Sequence, residues 1–148
     1  MNIQHHTHPD QLERYSFLWS EARLVVAALA LFLGGYPPVL YFFPMLAGTT
    51  MPLLKLSWIV SGAASAYLIY RWHGGERKLF GAREQWDMYA FFVSVVSGLN
   101  LGLTGLTGNN IGMSIAYGKP IFAVVGLIYL IAAWHLWQRW SAARQKMF

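Results

Sequence analysis

Two histidines, His73 and His135, carry imidazole rings next to the long apolar stretches of this chain, where they could bind a metal. Neutral imidazoles ligate haem iron and divalent metals, and a haem held by two histidines needs both rings at one height. His73 lies beyond Arg71 and His135 lies before Arg139, so at 1.5 Å per residue their heights differ by about 9 Å. We therefore favour two separate interfacial histidines that bond to headgroups or backbone. A histidine-ligated haem or metal redox protein is the alternative.

A second group of histidines, His5, His6 and His8, lies near the N-terminus with Asp10 close by. Short histidine-rich segments can bind zinc, copper or nickel weakly. Because the segment is polar and precedes the first apolar stretch, a solvated arm is the simpler interpretation.

A third set of residues could attract a small anion or a neutral solute. Lys55 and Lys119 each come near the start of an apolar stretch, and four amide or hydroxyl residues accompany them: Asn100, Thr104, Asn109 and Asn110. The helix dipole disfavours a cation at a helix N-terminus by about 0.3–1 kcal/mol, which is tolerated when the amine reaches into the headgroups. Such snorkelling is the simpler interpretation. A substrate-binding vestibule is the alternative.

Several other chemistries are excluded or not expected. The chain has no cysteine, which excludes disulfides, thiolate nucleophiles and cysteine-ligated metals. All six acidic residues lie in the N-terminal arm or at the predicted cytoplasmic interface of the membrane. Proton-coupled carriers, including the four-span small multidrug exporters, depend on an acid at membrane depth, so neither class is expected. Paired carboxylates for acid–base catalysis are likewise not expected within the bilayer.

Four apolar stretches would position these groups. A composition of 56% hydrophobic and 11% charged residues argues strongly against a water-soluble domain. The stretches lie at about 24–46, 53–70, 88–107 and 120–138, each long enough to cross about 30 Å of hydrocarbon. The sequence therefore predicts an all-α integral membrane protein, with four transmembrane helices in one membrane domain over residues 24–140.

The basic residues predict the orientation of these helices. Lys55 and Lys119 are on one side, and the other nine of the 11 are on the opposite side: Arg14, Arg23, Arg71, Arg77, Lys78, Arg83, Arg139, Arg144 and Lys146. Because cytoplasmic loops retain lysine and arginine, both termini are predicted to be cytoplasmic, an N-in/C-in topology. The lack of a eukaryotic targeting pattern favours a bacterial cytoplasmic (inner) membrane.

The two ends of the chain and the first span have distinct predicted features. Residues 1–23 are predicted to form a cytoplasmic arm with a short interfacial amphipathic helix, whose apolar face carries Leu12, Tyr15 and Trp19. The first helix is predicted to break or kink between Gly34 and Pro38, because each proline removes a donor and clashes with the preceding turn. Residues 141–148 are predicted to be a basic cytoplasmic tail.

Small residues predict where helices pack closely. Six of them are spaced along single flanks of the second and third spans: Ser57, Ser61, Ser65, Gly98, Gly102 and Gly105. Such residues let helix backbones approach each other in a membrane. On the third span, the face that includes Val95, Val96 and Leu103 is predicted to meet lipid.

These features predict a noncatalytic subunit or assembly partner of a membrane complex, because the polar interior consists of serine, threonine, asparagine and glycine. The first alternative is a homo-oligomeric channel or carrier for a small anion or neutral solute. The formal net charge is +5, but the basic residues lie beside apolar segments and form no continuous basic surface. The predicted partners are therefore anionic inner-leaflet headgroups and copies of the chain or other membrane subunits, with no nucleic acid.

Overall fold

The computed structural model describes residues 9–148, and these residues form helices without a β-strand. In chain order they are α1 (Pro9–Phe32), α2 (Pro38–Phe42), a 3-10 turn (Pro44–Leu46), α3 (Ala47–Gly74), α4 (Gln85–Thr107), α5 (Ile111–Ile115) and α6 (Lys119–Ala142). Four helices are long and apolar enough to cross a membrane, with candidate spans Asp10–Phe32, Pro44–Gly74, Gln85–Thr107 and Lys119–Ala142. The all-helical class and the four apolar helices predicted from the sequence are confirmed.

Helix α1 begins and ends earlier than the predicted first span, 24–46. Gly34 and Gly35 follow it with φ angles of 82° and 90°, in the left-handed region that glycine adopts without strain. Pro37 and Pro38 come next and have no N–H with which to continue the ladder of helical hydrogen bonds. The residues after Phe32 therefore form α2 and the 3-10 turn instead of completing a span.

The segment predicted as a surface arm forms the first half of α1 from Pro9 onward. Phe17 is 1% exposed and Glu21 is 6% exposed, so this half of the helix is packed against its neighbours. Glu13 and Glu21 lie inside the candidate span Asp10–Phe32. Two carboxylates thus fall within the bounds of a candidate span, and the exclusion of proton-coupled carriers stays a prediction.

The hydrophobic core lies at one end of the bundle, which we call the base: the start of α1, the 75–84 loop and the C-terminus. Six large buried side chains meet there: Phe17, Leu68, Phe91, Leu136, Trp140 and Met147. Glu13 ties three segments together, since it accepts from Arg71 at 2.9 Å and from the backbone N–H groups of Met147 and Phe148 at 3.3 Å. The base is thus closed by apolar packing and by a buried carboxylate.

Helices α3 and α4 approach most closely where glycines face each other. A Cβ added to Gly102 would lie 2.7 Å from the Cα of Gly62, closer than real Cβ contacts. A Cβ on Gly105 would lie 2.9 Å from the carbonyl oxygen of Lys55, and one on Gly98 would overlap Ser65. Backbones in such contact gain dispersion energy that a larger side chain would prevent.

At the opposite end the four long helices separate. Residues 33–46 and 108–118 connect them there, and we call these two segments the cap. The cap includes the short helices α2 and α5, which contain no buried residue. Below the cap, the space between the helices is a cavity.

Candidate functional site

The cavity has a volume of about 790 Å³ and is bordered by α1, α3, α4 and α6 and by both cap segments. Binding sites for small molecules typically measure about 300–1,000 Å³. Most of the lining is apolar, including Val26, Leu31, Leu54, Leu101 and Phe122. The cavity is therefore large enough for a ligand and best suited to an apolar one.

Arg23 provides a guanidinium group at the end of the cavity nearest the base. It is 8% exposed and lies on the central part of α1. Its Nη1 donates to the Ser97 hydroxyl, and its Nη2 donates to the Ser94 carbonyl oxygen at 2.8 Å. The Nε atom has no partner among the described residues. Hydrogen bonds to Ser94 and Ser97 of α4 thus hold the side chain, and part of its donor capacity is unused.

The direction of Arg23 follows from helix geometry. Each residue turns the helix by about 100°, so Trp19, Arg23, Ala27 and Ala30 share one side of α1. All four line the cavity. Glu21 is two residues before Arg23, so it points to nearly the opposite side, and it is absent from the lining. The cavity therefore receives the cation of this pair and not the carboxylate.

Two aromatic side chains complete the polar end of the cavity. The Nε1 of Trp19 donates to the hydroxyl of Ser61 at 2.9 Å, which links α1 to α3. Tyr129 of α6 lines the cavity and its hydroxyl forms a hydrogen bond with Ser97. Ser97 also donates to the Ser94 carbonyl oxygen at 3.0 Å. The polar end is thus a connected network between α1, α4 and α6, with the Trp19 bond beside it.

Asn100 and Asn110 fasten α5 of the cap to α4. The Asn100 Nδ2 donates to Asn110 Oδ1 at 2.8 Å, and Asn100 Oδ1 accepts from the N–H of Gly112 at 3.1 Å. Asn110 Oδ1 also accepts from the N–H of Met113 at 3.1 Å, as the N-cap of α5. Thr104 donates to the Asn100 carbonyl oxygen at 2.8 Å. These three predicted site residues line the cavity, but the side chains of Asn100 and Asn110 hold the cap in place and Thr104 bonds within α4.

The other residues of the predicted vestibule lie elsewhere. Lys55, Asn109 and Lys119 are exposed and do not line the cavity. Lys119 is the first residue of α6, and Lys55 is in α3. The structure therefore brings together Asn100, Thr104 and Asn110 but not the two lysines.

The two histidines proposed as metal ligands lie at the base. His135 Nε2 is 2.7 Å from Asp87 Oδ1, and His73 is in the last turn of α3. Within residues 9–148, no group of three or more histidine, cysteine or acidic residues could hold a metal ion. The N-terminal histidines, His5, His6 and His8, lie outside this part of the chain. The haem or metal hypothesis stays a prediction.

Arg23 is the site residue that the sequence interpretation missed, because it was assigned to the arm and counted as a topology signal. A signal existed: Trp19, Arg23 and Ala27 recur every four residues, and the apolar run around them continues to Phe32. A single cation inside an amphipathic repeat can face the interior of a bundle. The partners Ser94 and Ser97 lie three residues apart on α4, so they too share one face.

Comparisons with protein-family models, with curated proteins and with solved structures find no match to this chain. The geometry of the cavity and its network is therefore the basis for the functional argument.

Proposed function

We propose that this protein is a noncatalytic integral membrane protein that binds a small, largely apolar molecule inside its helix bundle. The observation that carries the proposal is the cavity of about 790 Å³ between the four long helices. Its lining includes one guanidinium and one phenol but no carboxylate, imidazole or thiol. Such a lining can bind and orient a ligand, but it includes no histidine, carboxylate or lysine that could act as a general base for its serine and threonine hydroxyls.

The exposure of α1 supports entry of the ligand from the bilayer. Trp19 and Val26 line the cavity and are 41% and 52% exposed, and Ala22 between them is exposed as well. These three residues form a stripe at helical spacing, so the cavity opens along α1 within its candidate span. A molecule dissolved in the hydrocarbon would reach this opening without crossing water.

The closed base favours binding over conduction. The cavity ends at Trp19, Arg23 and Ser61, and beyond them the interior is filled by the buried core. A channel would need a passage through this core. The alternative of a channel or carrier, which relied on Lys55 and Lys119, therefore receives less support from the geometry than a binding site.

An assembly role is a second candidate, and the exposure of α3 favours it. In the candidate span Pro44–Gly74 only 17% of the most apolar window is buried, against 28–44% in the other three spans. Leu53, Leu56 and Val60 are 66%, 58% and 42% exposed. We propose this face as the contact with a second copy or another membrane subunit. Disulfide cross-linking of a Leu56→Cys variant in membranes tests for the copy, because the chain has no other cysteine.

The base is proposed to face the cytoplasm of a bacterial inner membrane and to meet anionic headgroups. Four cations support this: Arg77, Lys78, Arg83 and Lys146 all lie at the base. In intact cells, a membrane-impermeant maleimide is expected to label Asn109→Cys, and to label Lys78→Cys only after the membrane is permeabilised. The opposite pattern would reverse the proposed topology.

Filling the cavity is expected to abolish ligand binding. Ala27→Trp places an indole in the cavity beside Arg23, and it should weaken binding of doxyl-labelled stearic acid methyl ester at least tenfold. The measurement is the immobilised component of the spin-label spectrum, with the protein in phosphatidylcholine nanodiscs.

Val25→Trp is the matched control, since Val25 is 40% exposed on α1 and does not line the cavity. It should bind the probe as the unmodified protein does. Equal binding by the two variants would contradict a site in the cavity.

A further inference from the structure

We propose that Arg23 binds the negatively charged oxygen head group of an amphiphile whose apolar body occupies the rest of the cavity. This inference rests on the proposed ligand-binding function and specifies its ligand: a molecule with a carboxylate or similar oxyanion at one end and a hydrocarbon body. The geometry that carries it is a single buried guanidinium at one end of a largely apolar cavity.

The charge of Arg23 has no ion-pair partner in residues 9–148. All five ion pairs found there involve other cations, namely Arg71, Lys78, His135 and Arg139. Glu21 interacts electrostatically with Arg23, but it forms no direct ion pair with it, since it points to the opposite side of α1. A charged side chain at membrane depth normally pairs with another charge or lines a functional cavity. An anionic head group in the cavity would place a counter-charge in direct contact with the guanidinium.

The Arg23 guanidinium also has unused hydrogen-bond donors. Of its five N–H groups, those on Nη1 and Nη2 that reach Ser97 and Ser94 are used, and Nε has no partner in the described chain. A carboxylate can accept two parallel bonds from such a fork. Ser94 and Ser97 also fix the guanidinium before a ligand arrives, so little side-chain entropy is lost on binding.

The wall above Arg23 fits a hydrocarbon body. Val26, Leu31, Leu54 and Val125 extend the lining from the guanidinium toward Phe122 and the cap. The polar side chains on this path, Asn100, Thr104 and Asn110, are bonded to each other or to nearby backbone. The one strong electrostatic anchor is therefore at the Arg23 end, which orients the amphiphile with its head group toward the base.

The test compares doxyl-labelled stearic acid with its methyl ester, which has the same body but no charge. Both are titrated into the protein in phosphatidylcholine nanodiscs at a pH well above the carboxyl pKa, and Ala27→Trp supplies the background. We expect the unmodified protein to bind the acid at least tenfold more tightly than the ester, as for a hydrogen-bonded charge pair. Arg23→Gln should reduce this ratio to about one.

Two further variants separate charge from folding. Arg23→Lys keeps the charge but loses the fork, so part of the preference should remain. Glu21→Gln removes the other buried charge in the middle of α1, on the face away from the cavity, and should not lower the preference, because a negative charge that competes for Arg23 is lost. If Arg23→Gln does not fold, the ratio measured on the unmodified protein still decides the question.

Each outcome has a defined meaning. Equal binding of the acid and the ester by the unmodified protein would overturn the role of Arg23 while leaving the ligand-binding function intact. Failure of both probes to bind would overturn the proposed function itself. Displacement of the acid by inorganic phosphate at equal concentration would show a site for a free anion and would overturn the assignment of an amphiphile.

Discussion

Replacing Gly102 with valine is expected to lower the free energy of unfolding by about 2–3 kcal/mol, because it forces two helix backbones apart. The Cβ of a new side chain would lie 2.7 Å from the Cα of Gly62 and 3.3 Å from its backbone nitrogen. Both obstacles are backbone atoms of α3, so no side-chain rotation can relieve the overlap. Helices α3 and α4 would have to separate, and the packing of Ser61 and Ser65 along the same contact would be lost as well.

Gly48→Val is the matched control for this substitution. Gly48 is also helical, but apart from its chain neighbours and the adjacent backbone of its own helix, no atom lies within 4 Å of a Cβ built on it. Both variants replace a helical glycine with valine, and the change in helix propensity amounts to less than about 1 kcal/mol, so a larger difference between them reports the close contact. Reversible unfolding in mixed detergent micelles containing dodecyl sulfate, followed by circular dichroism, measures both. Equal stability of the two variants would show that the glycine contact is dispensable.

The close packing of α3 on α4 was partly predictable from the sequence. Small residues every three or four positions indicated which faces of the two helices would pack closely, since this spacing places them on one side of each helix. The register could not be predicted, because Gly62 opposes Gly102 only through the relative positions of the two helices. The side of α4 that the sequence predicted to face lipid shows the same limit: Val96 and Leu103 are exposed, whereas Val95 is fully buried.

The bounds of the first helix were harder to predict, because a hydropathy value is assigned to each residue type regardless of the partners that the residue has in the fold. Glu13, Glu21 and Arg23 made the start of α1 resemble a polar arm. In the structure Glu13 is neutralised by Arg71 at 2.9 Å, and Arg23 is held by Ser94 and Ser97. Such partners offset the desolvation of charge, and they come from helices distant in sequence.

Only part of the candidate site could be located from the sequence. Asn100, Thr104 and Asn110 were identified because uncharged polar residues within or beside apolar stretches are conspicuous. Their role in fastening the cap depends on hydrogen bonds that only the folded chain shows. Lys55 and Lys119 were identified by charge, but charge alone does not tell a cation that faces headgroups from one that faces a cavity.

Replacing Asp87 with alanine is expected to lower the free energy of unfolding by about 3 kcal/mol, because it removes a buried carboxylate that joins α4 to α6. Asp87 is 0% exposed in the first turn of α4. Its Oδ1 lies 2.7 Å from His135 Nε2, and its two oxygens accept from Arg139 Nε at 3.0 and 2.9 Å. Losing a partner of a buried ion pair typically costs about 3–5 kcal/mol. We place this case at the lower end, because Arg139 and His135 are about one-third exposed and water can reach them.

Asp87→Asn and Glu76→Ala show whether charge and burial produce this effect. Asparagine keeps an acceptor for Arg139 but removes the negative charge, so its stability should fall between that of the unmodified protein and Asp87→Ala. Glu76 also forms an ion pair, with Lys78 at 2.5 Å, and the hydrogen bond from Lys78 lowers the pKa of Glu76. Both partners are exposed, so Glu76→Ala should cause no measurable change in the same unfolding assay. If Glu76→Ala and Asp87→Ala destabilised the protein equally, general loss of negative charge at the base, and not the buried contact with Arg139 and His135, would be the cause.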